Sequence, residues 1–224
     1  MISALEEFRP VIMALPTGPV MAGPVTHPRL SVYAASATGE DVAMVQAQVA
    51  AIASGVWERA VAAVDADLRL YELAVETPST ALGDVEAANL IGYGMTTVEP
   101  GVDLLALAGL NKLFCHPREG GDPGRAQSAL YGPGSSAFAE DDTYYINSID
   151  VLAQGASRDI AALLGAMIAA RMANVPVLAA GGAARAAVAL LRALNPQAVG
   201  HITEIEAGEF DSVFGLTAAI AARR

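Results

Sequence analysis

NVPVLAAGGAARAAVALLRAL, residues 174–194, runs as a short apolar segment into a glycine pair and out into an alanine-rich stretch. An apolar run bounded by turn residues reads as a buried strand, and apolar positions three and four apart read as a helix. Gly181-Gly182 then makes the short strand-to-helix loop common in α/β proteins. The pair is open to a second reading. Glycine lets the backbone approach a ligand closely, and the N-terminus of the following helix offers unpaired N–H groups to an anion.

The same alternation extends along the chain. RLSVYAAS (29–36), DLRLYELAV (67–75), VDLLALAG (102–109), VPVLAA (175–180) and AVGHI (198–202) read as strands. The segments between them read mainly as helices, as in Val42, Val45, Val49 and Ile52. Strands that alternate with helices predict a doubly wound, mainly parallel α/β sheet of about five or six strands flanked by helices. One domain is expected over residues 29–224, after an irregular proline-rich lead-in over 1–28, because five prolines fall between Arg9 and Leu30.

Composition narrows the function. The 224 residues carry a formal charge of −11, which argues against nucleic acid as a partner because a phosphate backbone is held by clustered Lys and Arg. The single cysteine, Cys115, excludes an internal disulfide and leaves no thiolate cluster, so no metal is implied, and nothing implies a cofactor. No stretch reaches the roughly 18 uninterrupted apolar residues of a membrane span. The start, MISALEEFRP, has acids where a signal peptide carries basic residues, and the cytoplasm is the expected location.

HPREGGDPGRAQ, residues 116–127, has the prolines, glycines and charges of an exposed surface loop. It resembles a short peptide that mobile palindromic elements insert into many unrelated bacterial proteins. On that resemblance His116, Arg118, Glu119 and Asp122 are not a designed site, although they look like one.

Two longer blocks carry a more specific resemblance. AANLIGYGMTTVEPGVDLLALAGLN (87–111) is similar to the lead-in to the Gly-Glu-Met-Gly-Ile-Gly-Asn-Thr-Thr motif of nicotinate-nucleotide:dimethylbenzimidazole phosphoribosyltransferases, enzymes of cobalamin lower-ligand synthesis. GASRDIAALLGAMIAARMANVPVLAAGG (155–182) resembles a second block of that family, with Asp159 at an acidic position and Gly181-Gly182 at a ligand-edge turn. Weaker matches are AASATG (34–39), YGPGSS (131–136) and GHITEIEAGE (200–209). The resemblance implies nicotinate mononucleotide and a benzimidazole as substrates, α-ribazole phosphate and nicotinate as products, and a homodimer or a partner of a full-length homologue.

The chemistry needs a phosphate cradle and a carboxylate that takes the benzimidazole proton. By resemblance, Gly132, Gly134, Ser135, Asp159, Gly181, Gly182, His201 and Thr203 are the candidate substrate-binding residues. The family's basic Glu falls near Leu216 in VFGLTAAIA (213–221), and leucine cannot accept a proton. Ser36-Ala37 stands where the family has Asp-His, Ala180 where it has Asp, and LALAGLN ends in Asn111 with no Glu. Glu204, Glu206 and Glu209 crowd one short stretch and are the possible substitute bases, since like charges this close raise one pKa. A weakly active or inactive phosphoribosyltransferase is therefore expected, with a non-catalytic nucleotide-binding homologue or partner subunit as the alternative.

The inserted segment is expected to be removable. Deleting residues 116–125 should leave thermal and chemical stability nearly unchanged, because changing a surface loop's length costs little entropy. A loss of more than about 2 kcal/mol on chemical denaturation would show that the segment packs.

Overall fold

The computed structural model describes residues 4–20, 23–37, 39, 41–55, 57–78, 82–110, 157–206 and 212–224. Five strands form one sheet: β1 (Pro28–Ala34), β2 (Asp67–Glu72), β3 (Leu104–Gly109), β4 (Val177–Ala180) and β5 (Ile202–Ile205). Their order is β2-β1-β3-β4-β5 and every pairing is parallel, as the alternating pattern predicts. The three central strands are buried at every residue, whereas the edge strands β2 and β5 are partly open. Central parallel strands are covered on both faces, which explains their near-continuous apolar runs.

Two helical layers supply that cover. Tyr33, Leu105, Leu107, Val177 and Ala179 face a core shared with α4 (Asp84–Met95), α5 (Arg158–Met172) and α6 (Gly182–Leu194). Leu30, Val32, Leu104, Ala106 and Leu178 face the other core, under α2 (Asp41–Ala53), α3 (Glu58–Ala62) and α7 (Ser212–Ala221). In α6 the pattern is amphipathic: Ala183, Ala184, Ala187, Val188 and Leu191 are buried, while Arg185 and Arg192 are exposed.

Before β1 the chain is more regular than its prolines suggest. Leu5–Glu7 forms a 3₁₀ turn that leads into helix α1 (Phe8–Met13). Pro10 lies in the first turn, where a missing N–H breaks no helical bond. The segment is docked by polar contacts to its backbone. Asp84 accepts from Ala4 N at 2.6 Å, Asn195 Nδ2 donates to Ile12 O at 2.9 Å, and buried Arg171 donates to Pro16 O and Gly18 O, both at 2.7 Å.

The strand expected over AVGHI starts later. Asn195 and Pro196 end α6, and a turn follows in which Ala198 N donates to Asn195 O at 3.0 Å and Ile202 N to Val199 O at 2.9 Å. Ala198 is buried beneath the helical layer, so its apolar character serves packing, and β5 begins only at Ile202.

Helices α4 and α5 meet backbone to backbone. A Cβ at Gly94 would lie 1.9 Å from Ala162 O, and one at Gly165 would lie 2.0 Å from Ile91 O. At Gly92, two residues away in α4, a Cβ would meet nothing within 4 Å. Alanine in place of a mid-helix glycine gains about 1 kcal/mol of helix propensity. Gly92→Ala should therefore raise stability by about 0.5–1 kcal/mol. At Gly94 the same substitution must push two backbones apart, and overpacking at the upper end of about 3 kcal/mol leaves a net loss near 2 kcal/mol. Paired urea titrations of the two variants check the opposite signs.

Candidate functional site

Parallel strands all end on one edge of the sheet, and in open α/β folds ligands bind outside those carboxyl ends. Here the edge is formed by Ala35–Ala37 after β1, Gly109–Leu110 after β3, Gly181 after β4 and Glu206 after β5. Helices α5, α6 and α7 begin there, so their first-turn N–H groups and positive dipole ends face the same edge.

Gly181 has φ 84°, which a side chain rarely tolerates, and its carbonyl accepts the first α6 bond from Arg185 N at 3.1 Å. A Cβ at Gly181 would lie 3.3 Å from Ser212 Oγ and 3.6 Å from Gly109 O. The glycine pair is therefore a turn packed between the end of β3 and the start of α7. Asp159 is fully buried in the first turn of α5. Its carboxylate accepts from Ser157 Oγ and, at 3.0 Å, from Ile160 N. It also overlies the end of β3, since a Cβ at Gly109 would lie 3.0 Å from Asp159 Oδ2 and 2.6 Å from Ala183 Cβ. Asp159, Gly181, Gly182 and Ser212 thus come together around Gly109.

His201 and Thr203 do not join them. Because β5 begins at Ile202, His201 lies at the opposite, amino edge, where its carbonyl accepts from Val177 N at 2.8 Å. Its ring is buried, with Nδ1 2.9 Å from Ala198 O and Nε2 3.1 Å from Met167 O. Burial first, and then the neighbouring Arg171, hold the imidazole down to about 4. It is a structural histidine that joins α5 to the turn before β5. Thr203 is opposite Leu178 in the middle of the strand, and its hydroxyl accepts from Arg223 Nη2 at 2.8 Å.

The substitute carboxylates separate as well. Glu204 pairs with Arg192 at 2.7 Å, whereas Glu206 is exposed at the carboxyl edge. Leu216 is fully buried on α7 with Val213 and Ile220, in the core that also holds Val32, Ala108 and Leu178. Ser36 Oγ donates to Val75 O at 2.6 Å. Gly132, Gly134, Ser135, Glu209 and the segment 116–127 lie outside the described residues.

A cleft of about 390 Å³ opens at the amino edge, lined by His27, Arg29, Asp65, Asp67 and Gly101. Its buried cation is already matched, because Arg29 contacts Asp67 and Glu99, each at 2.9 Å, and Thr97 O at 3.3 Å. Sequence reasoning did not single out this cluster. Neither did it find Ser212, whose signal was its place at the start of the last helix.

Comparison with known proteins bears on this geometry. A family model described as phosphoribosyltransferase matches residues 135–207. Nicotinate-nucleotide–dimethylbenzimidazole phosphoribosyltransferases of Sinorhizobium medicae and Rhizobium meliloti are each 29% identical over 219 residues, which cover 86% of this chain and 63% of theirs. The chain is similar to this phosphoribosyltransferase family over most of its length. The solved enzyme of that name from Thermus thermophilus has the same fold, with a TM-score of 0.63 at 13% identity over 98% of this chain and 94% of that one. The chain spans less than two thirds of the length of those curated relatives. Among its described residues no helix is long and apolar enough to cross a membrane, and no group of His, Cys, Asp and Glu could hold a metal ion.

The buried imidazole makes stability depend on pH. An unfolded histidine titrates near 6.5 and the folded one near 4, so between these values the unfolded chain binds more protons. The stabilisation is complete above about pH 6.5 and is lost as pH falls toward 4, by about 3 kcal/mol. In His201→Gln this part of the slope should vanish, although the variant starts less stable. Denaturant titrations at pH 7, 5.5 and 4.5 read the difference, and equal slopes in the two proteins would show that the imidazole is not held neutral.

Proposed function

We propose that this chain keeps the nucleotide-binding edge of its family and carries out the family reaction slowly or not at all. That reaction is transfer of phosphoribose from nicotinate mononucleotide to dimethylbenzimidazole, in cobalamin lower-ligand synthesis. The observation that carries the reading is Leu216, fully buried in the core beneath α7 near the position of the family's basic Glu. Ser36 and Ala180, at two other acidic positions of the family, are also buried. The helix N-termini around Gly109 can still offer N–H groups to the 5′-phosphate. Glu206, exposed at the same edge, is the described carboxylate best placed to stand in as a base.

The same burial of Leu216 favours a second reading, in which the chain binds a nucleotide without turning it over, as a homodimer or beside a full-length homologue. On either reading it acts in the cytoplasm on small molecules, without nucleic acid or a membrane as partner.

Product formation by this chain beside the Sinorhizobium medicae relative tests the proposal. Loss of a positioned general base costs about 100- to 10,000-fold, so the rate should lie at least about 100-fold below the relative's. Leu216→Glu is the informative third sample. It should lose about 3–5 kcal/mol of stability by burying an unpaired carboxylate, with no gain in rate. Turnover close to the relative's would overturn the proposal, and a gain in Leu216→Glu would show that this position faces the substrate.

A further inference from the structure

The direction of strand succession reverses between β1 and β3, and the crevice between their carboxyl ends is where an open sheet of this order places its ligand. One described segment straddles that crevice. After β2, Leu73 N donates to Ala34 O at 2.8 Å, and Thr77 N donates to Ala74 O at 2.9 Å to close a tight turn. On the β1 side, Ser36 Oγ donates to Val75 O at 2.6 Å, with both residues buried. On the β3 side, Arg158 Nη1 donates to Thr77 O at 2.5 Å, while its Nε is held by Glu86 at 2.7 Å. Arg158 opens α5, whose next residue, Asp159, overlies Gly109 at the end of β3.

We propose that residues 74–78 are a latch over the ligand crevice, held closed by Ser36 on one side and Arg158 on the other. The two polar fastenings are hydrogen bonds to carbonyl groups of the turn and the buried Val75 side chain is its apolar anchor, so the latch opens by lifting Val75 while Leu73 stays paired with Ala34 in the sheet ladder. Opening exposes the backbone after β1 and the start of α5 to the crevice. A chain that is mostly closed binds with an apparent affinity reduced by the open fraction, and loosening the latch removes that reduction. The role of Ser36 follows from this geometry: its hydroxyl closes the edge. The ligand assigned to the crevice, nicotinate mononucleotide, rests on the function proposed above.

The test uses Ser36→Ala, Arg158→Gln and the double variant, with Arg69→Ala at the amino edge as control. Amide hydrogen exchange at Val75–Thr77 and calorimetric binding of nicotinate mononucleotide are measured on each. The double variant should exchange about tenfold faster in this turn and bind about fivefold tighter, and the control should match the parent in both. Arg158→Gln leaves no buried acceptor unpaired, so it reports on the latch even if Ser36→Ala folds poorly. Unchanged exchange in Arg158→Gln would overturn the latch. Faster exchange with unchanged or weaker binding would overturn its position over the ligand while leaving the functional reading intact. Faster exchange with no binding by any of the proteins would overturn the functional reading, and the gating role with it.

Discussion

Helices α4 and α5 touch through the bare Cα atoms of Gly94 and Gly165, with the carbonyls of Ala162 and Ile91 where side chains would stand. Close packing of this kind has little tolerance, because a carbonyl in a helix cannot move without its turn. The contact fixes α5 along its length. Its first turn sets Asp159 over Gly109 and Arg158 over the turn after β2. Its last turns set Met167 against His201 and Arg171 against the carbonyls of Pro16 and Gly18. The candidate site, the buried histidine and the docking of the N-terminal segment thus share one mechanical origin.

The strands were readable because central parallel strands bury both faces, and runs such as LLALAG and VLAA leave little else to infer. The failures came where an apolar residue has a second use. Ala198 and Val199 read as the start of a strand, yet they form a turn under the helical layer. Counting prolines made residues 1–28 look irregular, whereas the position of Pro10 in a first helical turn was what mattered.

The candidate site was legible in part, for a related reason. Asp159 and the glycine pair sit at helix starts, and a helix start after a parallel strand must lie at the carboxyl edge, so their place follows from local pattern. His201 depends on where β5 begins, and a shift of a few residues moves it from one edge of the sheet to the other. Leu216 carried its own signal, since Val213, Leu216 and Ile220 recur at helical spacing and all are buried. Motif alignment drew attention to the missing carboxylate, and periodicity explains why a leucine is held there.

A link between reactivity and stability runs through these positions. A carboxylate at a dry edge is costly unless its charge is matched, and enzymes keep such groups because the chemistry requires them. In this chain Leu216 fills core space that an ionised side chain could occupy only at a cost of several kcal/mol. Ser36 donates a neutral hydrogen bond to Val75 O, and Ala180 adds methyl surface to the core under α7. Each of these residues contributes more to packing than an acid in its place would. On the proposed reading the chain has moved toward the stable end of that trade, retaining the helix N-termini that hold an anion while lacking the groups that would make the bound anion react.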